Sequence, residues 1–247
     1  QIAVIVIGLP IYLVHWLWAQ RLVAREAEER VAALRRMFLY GALATFLGPF
    51  VANAFDLLRG LLRAALGLDS FQVLGPPLAG LVIEHLVAMA VLALLWAYHW
   101  RLVVAERKVT PEQGAAATVR RLYVYGFSAA GLAMTALAIV SLSRGLMYLL
   151  GGDAIVGRQA GLVYEVARLA VGLPLWLSFW SWAQRLFAGP DEDERASALR
   201  KAYLYLAILL AVLATVTTAT IVLADGLGRL LGLSGRGSGD IREALSV

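Results

Sequence analysis

The chain holds three imidazoles, His15, His85 and His99, and no cysteine. Two imidazoles facing one another at one depth would hold a b-type haem. His15 and His99 fall near the same end of their apolar runs but about four residues apart in depth, a poor register for one iron. His85 and His99 share a helical face, being 14 residues apart. That spacing separates them by about 21 Å, too far for a shared metal or haem. All three are expected to be structural or interfacial, with no cofactor and no metal. Zero cysteines exclude a disulfide framework, thiolate ligands and a cysteine nucleophile. SGRGSGD, Ser234 to Asp240, superficially resembles a phosphate-binding loop, but it lacks the strand before it and the Lys and Ser or Thr after it. It reads as a flexible external linker. No HExxH, GxSxG or Walker-type pattern occurs, and no carboxylate pair falls at mid-membrane depth, where burial would tune an acid. The chain is expected not to be an enzyme.

The charges that remain gather toward one end of the apolar runs. Asp56 with Arg59, Glu165 with Arg168, and Asp225 with Arg229 are three or four residues apart, so each pair can bridge along its own helix. Glu84 and Arg144 lie on successive helices and can pair across them. Helical rise puts these groups roughly 25 to 36 Å from the nearest basic residue at the opposite end. Two readings stand for this outer set: ion pairs that fix helix depth and rotation, or an external ion-binding vestibule.

The elements that carry these residues must cross a membrane. Of 247 residues 61% are hydrophobic and 16% charged, well beyond the roughly 45 to 50% apolar content of soluble domains. Six largely uncharged windows, near 2 to 20, 37 to 58, 79 to 100, 122 to 143, 161 to 183 and 202 to 224, are long enough for a hydrocarbon core of about 30 Å. None alternates as a barrel strand would. The net charge of +5 resides at the ends of these windows and not in one patch, which argues for membrane orientation and against nucleic acid. The chain begins at Gln1 inside an apolar run with no basic stretch before it, so it does not read as a signal peptide; it is expected to be a piece of a longer protein.

The windows repeat. GLPIYLVHWLWAQRL (Gly8 to Leu22) returns as GLPLWLSFWSWAQRL (Gly172 to Leu186), and EERVAALRRMFLY (Glu28 to Tyr40) as DERASALRKAYLY (Asp193 to Tyr205). A weaker copy, LLWAYHWRL (Leu94 to Leu102) with ATVRRLYVY (Ala117 to Tyr125), lies between. The alignment matches Trp16, Trp96 and Trp180, and gives a period of about 80 residues. Pro10 and Pro174 recur at one place and are expected to kink their helices as packing features or hinges. The expected fold is all-α, a polytopic transmembrane helix bundle of six helices as three repeated helical hairpins, at 1–66, 78–151 and 159–233. The tail 234–247 is a flexible segment or the start of a further unit.

The stretches Arg21 to Arg36, Arg101 to Arg121 and Arg185 to Lys201 carry five, five and four basic residues. They are expected to be short polar linkers, placed in the cytoplasm by the positive-inside rule, with both ends of the sequence outside. Trp16, Trp18, Trp96, Trp100, Trp180 and Trp182 close the odd-numbered helices, and Tyr40, Tyr123, Tyr125, Tyr203 and Tyr205 open the even-numbered ones. Such a pattern predicts an aromatic belt; a ligand cage would need the rings to converge. Small residues stripe the even helices: Gly41, Thr45, Gly48 and Ala52; Ser128, Gly131, Thr135 and Ala138; Ala207, Ala211, Ala214 and Thr218. They predict close helix packing at the bundle centre. A pore lined by Thr215, Thr217, Thr218 and Thr220 is the alternative, although threonine can bond its own helix.

The paired GLP and HWLWAQRL stretches, with the openings Arg120, Tyr123, Tyr125 and Arg200, Tyr203, Tyr205, resemble an uncharacterised family of multi-pass bacterial membrane proteins, classed as a domain of unknown function. Arg35 with Phe38 and Tyr40 departs by having phenylalanine first. The resemblance implies membrane residence and repetition and supplies no catalytic residues to carry over. The expected role is a non-catalytic membrane scaffold, interaction or sensory module within a larger protein or complex. Its expected partners are the lipid bilayer and other membrane subunits or further copies of itself. The alternatives are a transporter or channel for a small solute or ion, then a membrane haem protein or enzyme. A dry, closely packed centre would favour the first reading and polar groups converging on a midplane cavity the second.

Overall fold

The computed structural model describes residues 2–26, 32–68, 78–150, 159–189 and 196–231. Among the described residues every regular element is a helix: α1 (Ile2–Arg25), α2 (Ala33–Ala65), α3 (Leu78–Val109), α4 (Gly114–Leu150), α5 (Gln159–Phe187) and α6 (Ala198–Leu230). All six are long and apolar enough to cross a membrane.

The helices outlast their apolar windows. The stretch from Arg101 to Arg121, expected as a linker, is helical except at 110–113, because α3 continues to Val109 and α4 starts at Gly114. Arg, Lys, Glu and Ala are all good helix formers, so polarity marks the edge of the membrane and not the end of the helix. What ends α3 is Pro111, which disfavours helical geometry in the residue before it. Gly114, at φ +55, then takes the left-handed conformation in the reversal that starts α4. At the far end of α2 Gly67 does the same at φ +64. Its N–H bonds the Ala64 carbonyl at 3.1 Å, and the Leu68 N–H bonds Arg63 at 3.0 Å, the paired bonds of a Schellman stop.

Pro10 and Pro174 lie inside continuous helices, as does Pro49 in α2. Each removes a bond to the carbonyl four residues earlier, at Val6, Ala170 and Thr45 respectively.

The chain forms two compact units, residues 1–50 with 90–123 and residues 51–89 with 124–247. The first encloses Leu39, Leu43 and Val103 completely. In the second, α4 presents Ser128, Gly131, Thr135 and Ala138 inward, all buried. A Cβ on Gly131 would stand 2.5 Å from the backbone nitrogen of Trp176, and one on Gly172 would stand 2.6 Å from the Met134 Cβ. Here α4 and α5 touch backbone to backbone, as small residues allow in lipid. The stripe on α2 does not behave this way: Gly41, Thr45 and Ala52 are exposed, and a Cβ on Gly41 meets nothing. On α6 Ala211 is exposed while Ala207, Ala214 and Thr218 are half-buried. Thr215 donates to the Ala211 carbonyl at 2.8 Å and so spends its hydroxyl on its own helix. Large apolar side chains such as Leu94 (71% exposed) and Leu223 (64%) cover the outside of α3 and α6, a surface suited to lipid and not to water.

Candidate functional site

Polar chemistry concentrates at the helix ends. In the first unit Trp96 donates its indole N–H to the Tyr123 hydroxyl at 3.0 Å and stacks on Trp100 at 5.5 Å. In the second, Trp176 donates to the Tyr203 hydroxyl at 3.0 Å and Ser128 donates to the same oxygen at 2.8 Å, while Trp180 stacks on the Tyr203 ring. Both indole donors lie 27 residues before their tyrosines. The partner equivalent to Trp96 in this bond is therefore Trp176, one helical turn before Trp180. Phe38 occupies the corresponding place in α2 and cannot accept. Trp16 packs against its ring at 5.6 Å and sends its N–H to Tyr98 at 3.0 Å instead. Of the aromatic residues expected at a belt, Trp18 and Tyr205 are exposed, whereas Trp16, Tyr40, Tyr123, Tyr125 and Tyr203 are buried. Trp182 lies tilted against Phe179 at 6.0 Å. Replacing Tyr203 with Phe removes the acceptor of two partly or fully buried donors and should cost about 1–3 kcal/mol. The Tyr123→Phe exchange removes one and should cost about 1 kcal/mol. Unfolding midpoints in detergent compare the two directly.

The first unit closes around ions. Glu112, in the short α3–α4 connection, has a side chain with 0% exposure. Its oxygens accept from Arg120 Nη1 at 2.9 Å and from the Tyr40 hydroxyl at 3.1 and 3.3 Å. Arg36 Nη1 and Arg107 Nε each stand 3.5 Å away. One turn before the end of α3, Glu106 accepts from Arg35 through both Nε and Nη2, and Arg35 also reaches Gln20 on α1 at 3.3 Å. Arg36 sits between the two carboxylates, 3.4 Å from Glu106. Two acids thus tie α1, α2, α3 and α4 together through four guanidinium groups. Sequence reasoning missed this cluster by counting its members only as orientation charges. A signal was available: Arg35–Arg36 is a basic doublet in the opening turn of α2, where the helix dipole disfavours cations, and Arg120–Arg121 is a second doublet two turns into α4. Doublets so placed need carboxylates from another element.

The outer charges are arranged differently from simple pairs. Glu165 and Arg168 bond along α5. Arg168 also reaches Ser141 on α4 at 3.5 Å and lies 5.3 Å from the Tyr164 ring, and Arg59 of α2 lies 5.8 Å from the same ring. Among the described residues Asp56 and Arg59 form no ion pair, nor do Glu84 and Arg144; Asp56 and Glu84 are exposed. The side chains of Asp225 and Arg229 lie outside the described residues.

The histidines are spread through the fold. His15 and His99 bond the carbonyls of Ile11 and Leu95 on their own helices, each at 2.8 Å. His85 meets Asn53 at 2.8 Å. His99 is enclosed by the rings of Trp16, Phe46 and Tyr98 at 5.1 to 5.5 Å. Among the described residues no three histidines or acids gather as a metal site would require.

A family model described as "Domain of unknown function (DUF5671)" matches residues 1–85 and 121–247. No curated protein and no solved structure matches the chain. The matched stretches contain Arg35, Arg36, Tyr40 and Arg121, whereas Glu106, Glu112 and Arg120 fall between them.

Proposed function

The chain belongs to the DUF5671 family, a domain of unknown function, and we propose that it acts as a non-catalytic membrane scaffold or interaction module, holding helices in fixed register for a larger assembly. The observation that carries this reading is the state of Glu112. Its side chain is wholly enclosed and surrounded by Arg36, Arg107, Arg120 and Tyr40. A carboxylate so occupied fastens helices together and is not offered to a substrate or a moving ion. The tight α4–α5 crossing at Gly131 and Gly172 supports the same reading, since it leaves no room there for a solute.

The test is solute flux in liposomes containing the full chain. We expect none above empty liposomes across a panel of ions and small solutes, together with membrane partners that co-purify after cross-linking. Solute-selective flux that responds to substitution of Glu112 would sink the scaffold reading in favour of a transporter.

The membrane orientation belongs to the same proposal: residues around 21–36, 101–121 and 185–201 face the cytoplasm, as their basic excess favours. Ala115, exposed beside the α3–α4 turn, reports on it. A cysteine replacing Ala115 should resist an impermeant thiol reagent in intact cells and react after lysis. Labelling in intact cells reverses the orientation.

A further inference from the structure

Among the described residues of the second unit, no carboxylate bonds Arg59. This residue is half-buried near the far end of α2, and its described partner is the face of Tyr164. Arg168 shares that ring, and its Nη2 is occupied by Glu165 and Ser141. Its Nε–H, enclosed by protein, finds no acceptor among the described residues. Two guanidinium groups thus share a single ring, and among the described residues only one carboxylate, that of Glu165, bonds to either of them. Asp56, one turn from Arg59, is exposed and forms no ion pair with it. The Tyr164 hydroxyl bonds no described residue, and the residue is 39% exposed. Phe55 packs edge-on against the ring at 5.1 Å and supplies an apolar floor.

The depth is that of a membrane surface. Helix α2 has 33 residues and is therefore about 50 Å long, against a hydrocarbon core of about 30 Å. Arg59 lies within its last two turns. Arginine at such a depth turns its charge toward the headgroups, and guanidinium groups match the oxygens of phosphate in geometry and charge.

We propose that Arg59, Arg168 and Tyr164 form a binding site for a phosphate group, with the guanidinium of Arg59 and the phenol of Tyr164 as donors and Arg168 supplying the second positive charge. The chemistry is common to the headgroup of an anionic lipid and to free phosphate. Two guanidinium groups with donors not taken up by described carboxylates favour a ligand of net negative charge over a zwitterion. The site is independent of whether the protein is a scaffold or a transporter.

Native mass spectrometry of the full chain, released from micelles doped with phosphatidylglycerol or phosphatidylcholine or supplied with inorganic phosphate, tests the site. Retention of phosphatidylglycerol over phosphatidylcholine, weakened about tenfold by Arg59→Gln and unaffected by Arg25→Gln at the exposed end of α1, supports a lipid headgroup. Binding of inorganic phosphate with the same dependence on Arg59, and no preference between lipids, supports free phosphate. Equal retention of both lipids with no response to Arg59→Gln, and no phosphate binding, overturns the proposal. If Arg59→Gln does not fold, Tyr164→Phe decides, because it keeps the ring beneath both cations and removes only the hydroxyl. Weakened retention supports the site, and unchanged retention rejects it.

Discussion

Replacement of Glu112 by Ala is expected to destabilise the protein by about 3–5 kcal/mol, because removing one partner of a buried ionic cluster leaves the other charges enclosed without compensation. Arg107 and Arg120 would then lose their carboxylate and Arg36 would keep only Glu106, while Arg36 and Arg120 are almost fully enclosed. The Tyr40 hydroxyl would lose its acceptor as well. Glu112→Gln should fail nearly as badly, since it preserves the shape and an acceptor but not the charge. Glu106→Ala should cost less, because Glu106 is 12% exposed, Arg36 keeps Glu112 and Arg35 keeps Gln20. Unfolding in detergent followed by tryptophan fluorescence orders the three variants. A Glu112→Ala protein as stable as the parent would mean that the cluster does not hold the first unit together.

The second large effect is expected at the α4–α5 crossing. Alanine at Gly131 would place its Cβ 2.5 Å from Trp176 N, 2.9 Å from Trp176 Cα and 3.0 Å from the Gly172 carbonyl. All three are backbone atoms, which no change of rotamer can move. The helices must separate, at a cost of about 1–3 kcal/mol or more. Separation would also pull Trp176 from the Tyr203 hydroxyl. Gly172→Ala meets the Met134 Cβ and the Gly131 carbonyl and should behave alike. Gly41→Ala is the contrast. It opens onto empty space, and the better helix former should leave stability unchanged or raise it by up to about 1 kcal/mol. Equal stability of all three would mean that α4 and α5 do not cross at these glycines.

The spans and their number were legible because hydrocarbon admits only uninterrupted apolar helices, and 20-residue windows reveal them. Helix ends were not legible from the same windows, since Arg101, Arg107 and Lys108 continue α3 as readily as leucine would. The small residues of α4 marked a real crossing, yet those of α2 at Gly41 and Thr45 face outward. A stripe gives the face of a helix and says nothing about whether a neighbour covers it. The ionic cluster was hidden because Glu106 and Glu112 meet Arg35 and Arg36 only when distant segments come together, even though Arg107 and Arg120 lie near Glu112 in sequence. Polarity counts register an acid in a basic linker as a reduced charge and not as a fastening. The Trp–Tyr bonds were half visible: the residue types stood out, but only the fold distinguishes Trp176, which donates to Tyr203, from Trp180, which stacks on it.

The tie between Arg35 and Glu106 spans 71 residues, and this separation has a consequence for biosynthesis. At roughly 5–20 residues per second, a ribosome needs about 4 to 14 s after making Arg35 before Glu106 exists. For the part of that interval after α2 is complete, its two arginines have no carboxylate from α3. The first unit cannot lock until the α3–α4 turn has been made, so α1 and α2 stay unfastened, and open to quality control, until then.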